Sequence, residues 1–461
     1  MRLNKNILGL IIGPLLFLAI MIFVDAEGLS FEAKCILAST AWMAVWWVTE
    51  CVPISVTALL PIVLFPLTGG MDLATTTAAY GHKLVFLFVG GFLIALAIEK
   101  WHLHKRLALN IIRVTGSNKS RVILGFMLAT AFLSMWISNT ATSIMILPVG
   151  LAIISQLKDD PKTIENENEV FGKSLMIAIA YSASIGGMAT LIGTPPNMVL
   201  AGVVEESYGI KLNMFDWMKF GVPLSSFLLI ICWLYLTKIA IKFKNEEFSA
   251  GKEEILRQIN KLGRFSNEEI KVLIVFTLTA LGWIFRGSVE TIFPMIDDTI
   301  IAIFFAVTLF IIPTKSQKVK SKLLVWEDTV KLPWGILILF GEIGRASCRV
   351  GKSGLALWIA DLLQNLNDVS LFLIILIIVT SINLLTEVTS NMATTAMLLP
   401  VLVTIALAIE VHPYFLLVSA TLAASCAFML PISTPPNAVV FGSGFLKIED
   451  MFKKGIWMNL I

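Results

Sequence analysis

The chain has 461 residues, of which 57% are hydrophobic and only 15% charged, with a net charge of +3 at pH 7. Apolar residues at this density, gathered in helix-length blocks, exclude an ordinary soluble domain. The five cysteines (Cys35, Cys51, Cys232, Cys348 and Cys426) show no CxxC spacing or pairing, so neither disulfides nor zinc are indicated.

Taking one crossing per block of roughly 20 apolar residues, spans fall near 7 to 24, 34 to 50, 53 to 69, 82 to 100, 172 to 204, 217 to 241, 271 to 287, 299 to 313, 333 to 360 and 413 to 445. The first span is followed by acidic DAEGLSFEA rather than a small-residue cleavage site, and it reads as a retained helix. After the fourth, His102 and His104 flank Leu103 in a basic, amphipathic stretch that reads as an interfacial helix rather than a metal site. Blocks 121–157 and 369–409 are too long for one crossing, and each carries Ser-Asn at its middle (Ser138-Asn139 and Ser390-Asn391). Each reads as a re-entrant hairpin: two arms of about 18 residues rising 1.5 Å per residue reach roughly 27 Å, deep enough to set the turn inside the bilayer. The fold class is an all-α polytopic membrane protein.

Loop charge tests that count. With the two blocks as hairpins, the loops on one side hold Arg2, Lys5, Lys105, Arg113, Lys252, Arg257, Lys261, Lys315 and Lys320, among others. The opposite side holds Lys211 in a loop, a few cations at span edges, and acidic Asp25, Glu27, Asp72, Glu205, Glu206, Asp297 and Asp298. This is the positive-inside asymmetry, and it puts the N-terminus in the cytoplasm. Hairpin one then enters from the cytoplasm and hairpin two from outside, so the two halves are inverted.

An internal repeat supports the inversion. SNTATSIMILPV at 138–149 matches SNMATTAMLLPV at 390–401 in eight of twelve positions, and GTPPNMVLAG from Gly193 pairs with STPPNAVVFG from Ser433 in the same order. The tandem prolines Pro195-Pro196 and Pro435-Pro436 remove backbone donors and disfavour helix just before them, so both surrounding spans should break near mid-membrane. Half-helix N-termini favour an anion, and freed carbonyls and hydroxyls suit a sodium ion. The pattern therefore points to a site for a small dianion together with sodium.

These motifs resemble the divalent anion/sodium symporter family, which carries dicarboxylates, citrate or sulfate and whose signature pairs two Ser-Asn-Thr motifs with Thr-Pro-Pro partners. The resemblance covers nearly the whole chain. It implies secondary active, sodium-coupled symport of C4-dicarboxylates such as succinate, malate or fumarate in the bacterial cytoplasmic (inner) membrane, with no organic cofactor and no nucleic-acid partner. It further implies a lipid-embedded homodimer with a scaffold and an elevator-type transport domain. On that plan 1–100 holds scaffold helices of the first repeat, 101–216 the first transport half, 217–332 linking and scaffold helices, and 333–461 the second transport half. Carried across by motif, the first sodium site would use Ser134, Ser138, Asn139 and the carbonyl of Gly193. The second would use Thr386, Thr389, Asn391 and the carbonyl of Ser433. Substrate would meet Asn139, Thr140, Thr194, Asn391 and Thr434, with Pro195 and Pro435 at the wall. The second signature departs from the family pattern at Met392, whose thioether cannot donate where a threonine hydroxyl would.

Two stretches are anomalous. In the span from 333, EIGRASCR sets Glu342, Arg345 and Arg349 at membrane depth, an expensive arrangement. The octapeptide reads like the in-frame translation of a short-read sequencing adapter, and reamplifying the locus decides it. The closing IEDMFKKGIWMNLI resembles MFDWMKFGVPLSSFLLIICWLYL after the first repeat but stops where a helix would continue, as a truncated span does.

Rival functions remain at this level. Glu387, three residues before Ser390, is the hook for a proton-coupled organic-anion or oxyanion carrier, although a partly solvated hairpin residue is the simpler reading. A passive anion channel would dissipate a gradient rather than build one. A membrane hydrolase would need a convergent catalytic set that four scattered histidines do not supply.

Overall fold

The computed structural model describes residues 5–26, 29–116, 118–156, 167–241, 249–315, 322–339 and 370–461. The described helices are, in order, α1 (Lys5–Phe23), α2 (Phe31–Thr49), α3 (Ile54–Thr57), α4 (Leu60–Thr68), α5 (Leu73–Ala78), α6 (Lys83–Lys100), α7 (Leu103–Thr115), α8 (Lys119–Ser134), α9 (Asn139–Ile154), α10 (Glu167–Gly187) and α11 (Pro195–Tyr208). They continue as α12 (Met214–Leu234), α13 (Ser249–Leu262), α14 (Asn267–Ile284), α15 (Arg286–Glu290), α16 (Asp298–Ile311), α17 (Leu371–Thr386), α18 (Asn391–Ala408), α19 (Tyr414–Ser425), α20 (Pro435–Phe441) and α21 (Ile448–Leu460). The charged octapeptide at 342–349 lies outside the described residues.

Short polar residues set the helix starts by accepting orphan amide protons. Asn118 Oδ1 accepts from Arg121 N at 3.2 Å to open α8, and Asn213 Oδ1 accepts from Asp216 N at 2.8 Å to open α12. Ser266 opens α14 with a full capping box, exchanging bonds with Glu269. The long apolar blocks break where the sequence places their polar centres. Residues 135–138 separate α8 from α9, and 387–390 separate α17 from α18. The spans holding the tandem prolines break just before them, at 188–194 and 426–434, with a proline opening each following helix.

By length and composition, four helical stretches among the described residues can cross a membrane: Leu73–Lys100, Glu169–Gly187, Met214–Ala240 and Asn391–Ala408. Apolar side chains such as Phe227, Ile230, Ile274, Phe304 and Val307 are half or more exposed, a surface that suits lipid rather than water. The protein is a multi-pass membrane protein.

The chain forms two compact units, each assembled from separated segments. The first comprises Met1–Phe86, Pro195–Leu212 and Pro333–Ser425, and the second Leu87–Thr194, Asn213–Leu332 and Cys426–Ile461. In the second unit α10 is the buried axis: Leu175 through Tyr181 are fully buried, and α8, α9, α12 and α20 pack around it. Gly186 lets α10 approach α8 closely, since a Cβ there would collide with the backbone of Ala131. In the first unit α11 packs against α18 and α19, and α17 and α18 against α19. Each unit thus joins a helix pair broken at Ser-Asn to the Pro-Pro helix that follows the other such pair in sequence: α8–α9 with α20, and α17–α18 with α11.

Candidate ion and substrate site

In the second unit, the turn between α8 and α9 is drawn against α10. Ser138 caps α9, its Oγ accepting from Ala141 N at 3.3 Å. Ser134, fully buried at the end of α8, sends its hydroxyl proton to Ala183 O of α10 at 2.7 Å. Asn139 lies against the same hydroxyl. The amide orientation that pairs every polar atom has its Nδ2 at 2.6 Å from Ser134 Oγ and at 3.2 Å from each of the carbonyls of Ala183 and Gly193. Three oxygens therefore surround one small donor, and a point ringed by acceptors and lacking any carboxylate is where a cation of low charge density can also sit.

Glycines make this approach possible. A Cβ on Gly187 would run into the Asn139 amide, and one on Gly193 into the carbonyls of Gly187 and Ser134. Thr190 ties the break down, its hydroxyl donating to Met135 O and accepting from Gly193 N at 3.0 Å. Of the residues expected for the first sodium ion, Ser134, Asn139 and Gly193 are brought together. Ser138 stands at the head of α9 beside them, and Thr140 follows in its first turn.

The first unit repeats the arrangement. Thr386, fully buried, has its Oγ1 2.8 Å from Asn391 Oδ1 and 2.9 Å from Ala424 O of α19. One hydroxyl proton cannot serve both oxygens, so the pair is again acceptor-rich, like Ser134 with Asn139 and Ala183. In both copies the asparagine follows the hydroxyl residue by five positions, across the break. Thr389 adds a hydroxyl held by Leu385 O at 2.8 Å and Thr394 Oγ1 at 2.6 Å.

The expected second sodium set is distributed, with Thr386, Thr389 and Asn391 in the first unit and Ser433 in the second. Among the substrate residues, Asn139, Thr140, Thr194, Thr434 and Pro435 belong to the second unit and Pro195 and Asn391 to the first. Thr194 and Thr434 are buried, and Thr434 caps α20 by accepting from Asn437 N at 3.3 Å. Helix N-termini stand at these motifs: α9 at Asn139, α11 at Pro195 and α18 at Asn391, each presenting orphan amides and the positive end of a helix dipole. Met392 lines a cavity of about 530 Å³ in the first unit, together with Cys51, Pro53, Ile54, Ser55 and Ile336.

One expectation needs adjustment. Glu387 is only 2% exposed, so it is not the partly solvated carboxylate expected; as the C-cap of α17 it folds into the first unit rather than out of the turn. His104 lies on the buried face of the amphipathic α7, its Nδ1 3.1 Å from Ile98 O. Sequence reasoning missed the carbonyl partners Ala183 and Ala424, and Thr190. Carbonyls carry no side-chain signature, although Gly186-Gly187 was an available signal of close approach.

Comparison with known proteins now decides the family. The model of the sodium:sulfate symporter transmembrane region matches residues 4–461. The chain belongs to this family. It is a transporter, not an enzyme. It is 43% identical over 462 aligned residues to the sodium-dependent dicarboxylate transporters SdcS of Staphylococcus aureus strains RF122 / ET3-1 and USA300, covering 99% of this chain and 89% of theirs. Its fold is similar to the crystal structure of the Alcanivorax borkumensis YdaH transporter, described as having an unusual topology, with a TM-score of 0.55 at 12% identity over 92% of this chain and 95% of that one.

Proposed function

We propose that this protein carries C4-dicarboxylates such as succinate, malate or fumarate across the bacterial cytoplasmic membrane in symport with sodium ions. The observation that carries the reading is the duplicated oxygen set, Ser134–Asn139–Ala183 in one unit and Thr386–Asn391–Ala424 in the other, built from neutral ligands at helix breaks. The names of the SdcS relatives support sodium and a dicarboxylate as the transported pair.

The chemistry follows from those ligands. In the second unit Ser134, Ser138, Asn139 and the carbonyl of Gly193 hold one sodium ion, the Asn139 amide turning its oxygen inward as the ion arrives. In the first unit Thr386, Thr389 and Asn391 serve a second. Because the ligands are neutral, each sodium charge stays available to offset the dianion in a low-dielectric place. Within the second unit carboxylates then meet the amides and hydroxyls of Asn139, Thr140, Thr194 and Thr434, with Pro435 as a wall; within the first unit Asn391 and Pro195 are the corresponding contacts. Sodium first and substrate second is the order this charge logic favours. The protein works as a lipid-embedded homodimer with cytoplasmic N-termini, re-entrant hairpins and a transport domain moving elevator-fashion against a scaffold.

A second reading, proton-coupled carriage of an organic anion or sulfate-like oxyanion, is favoured by the burial of Glu387. Radiolabelled succinate uptake into proteoliposomes separates the two. An inward sodium gradient should drive accumulation that a potassium gradient does not; uptake that ignores sodium and follows pH selects the second reading.

A further inference from the structure

The segment 426–434, between α19 and α20, is non-helical in a mostly buried setting, so its backbone carbonyls need partners from elsewhere. Side chains supply them. The Tyr181 hydroxyl donates to Phe428 O at 2.8 Å. Asn437 gathers the rest: its Nδ2 lies 3.2 Å from Ala427 O, 3.0 Å from Leu430 O and 3.1 Å from Ser433 Oγ, while its backbone N donates to Thr434 Oγ1 at 3.3 Å. The Ser433 hydroxyl closes the turn by donating to Leu430 O at 2.6 Å.

Asn437 is fully buried, yet its Oδ1 has no donor among the described residues. A residue present only to fill space would not leave a desolvated amide oxygen unpaired; leucine has a similar volume and no such cost. What asparagine provides is two protons aimed at three acceptors of one unwound segment. The helix it belongs to packs against α9 and α10, so the segment is held beside the first hairpin within the same unit.

We infer that Asn437 is a positioning residue: it organises the unwound segment 426–434 so that Ser433 and Thr434 present their oxygens in fixed places for sodium and dicarboxylate. This rests on the transport reading above. It assigns a function to the last residue of the Thr-Pro-Pro-Asn motif, which ligates nothing itself.

The test uses the full chain in proteoliposomes with Asn437→Leu and Asn437→Asp, scoring thermal stability, succinate KM, sodium half-saturation and maximal rate per folded protein. Asn437→Leu should remain folded with a melting temperature close to wild type, while succinate KM or sodium half-saturation rises about tenfold, the equivalent of one lost charge-assisted contact. Asn437→Asp, which keeps the shape but loses both amide protons, should shift the same parameters. Wild-type KM and sodium half-saturation in a folded Asn437→Leu overturn the inference, as does a loss of rate that merely tracks the folded fraction. If Asn437→Leu does not fold, Ser433→Ala removes one of the three acceptors; a shift of about threefold in the same parameters supports the inference and none overturns it. Absence of sodium-dependent uptake in the unsubstituted protein is a different failure, which removes the transport reading and this inference with it.

Discussion

Replacing Ser134 by alanine tests the oxygen set at its centre. The hydroxyl is fully buried, 2.6 Å from the Asn139 amide and 2.7 Å from Ala183 O, so its loss takes a partner from each of two polar groups and removes one ligand of the proposed sodium site. A buried hydrogen-bonding group left unpaired costs about 1–3 kcal/mol, which corresponds to roughly 5- to 150-fold weaker sodium binding if the cost falls on the bound state. The assay is succinate uptake into proteoliposomes as a function of external sodium, with folded protein quantified by size-exclusion chromatography. Half-saturation by sodium should move up within that range, while saturating sodium restores much of the rate. Thr386→Val should do the same through the other half, and Thr386→Ser, which keeps the hydroxyl, should not. An unchanged sodium dependence in well-folded Ser134→Ala would refute the reasoning, because the oxygen set would then be packing rather than a cation site.

Three further substitutions probe the supporting structure. Gly187→Ala pushes a methyl into the Asn139 amide and should abolish sodium-dependent uptake with the protein still inserted and eluting like the wild type on chromatography; retained uptake refutes the close approach. Arg106 of α7 grips Glu269, both buried, through Nε–Oε1 at 3.0 Å and Nη2–Oε2 at 3.1 Å and also reaches the carbonyls of Leu262, Gly263 and Arg264. Breaking such a pair leaves an unpaired buried charge, so Arg106→Met should destabilise by about 3–5 kcal/mol in thermal or denaturant unfolding, with Arg106→Lys recovering little because ammonium lacks the fork. His104, in α7 outside the spans, is pushed down to about 4 by burial, opposed by the Ile98 carbonyl. Its folded form therefore takes up a proton later than the unfolded chain as pH falls. Stability is unaffected above about pH 7 and drops between about 6.5 and 4, by up to about 3 kcal/mol. His104→Leu should flatten that part of the pH–melting profile; an identical acid limb contradicts the assignment.

Much of this was legible in the chain because the decisive features are local and repeated. Ser138-Asn139 and Ser390-Asn391 interrupt apolar blocks too long for one crossing, and the structure breaks its helices at those residues. The tandem prolines predict breaks just ahead of Pro195 and Pro435 for a covalent reason, and the breaks are there. What could not be read depends on which segments meet. Nothing in the sequence says that α20 of the second repeat packs on α9 of the first, or that α11 packs on α18, because that exchange is set by tertiary topology. Ala183 and Ala424 contribute through backbone carbonyls and so left no trace in residue type. Glu387 was misread because a polar residue at the end of an apolar helix looks solvated until the neighbours that bury it are known.

Coupling itself is tested most directly by running the carrier on substrate. Proteoliposomes with equal sodium on both sides and an inward succinate gradient, clamped in voltage and pH, should take up labelled sodium against its own concentration, and Asn139→Ala or Asn391→Ala should abolish that flux. Succinate that enters under these conditions without moving sodium contradicts the symport account.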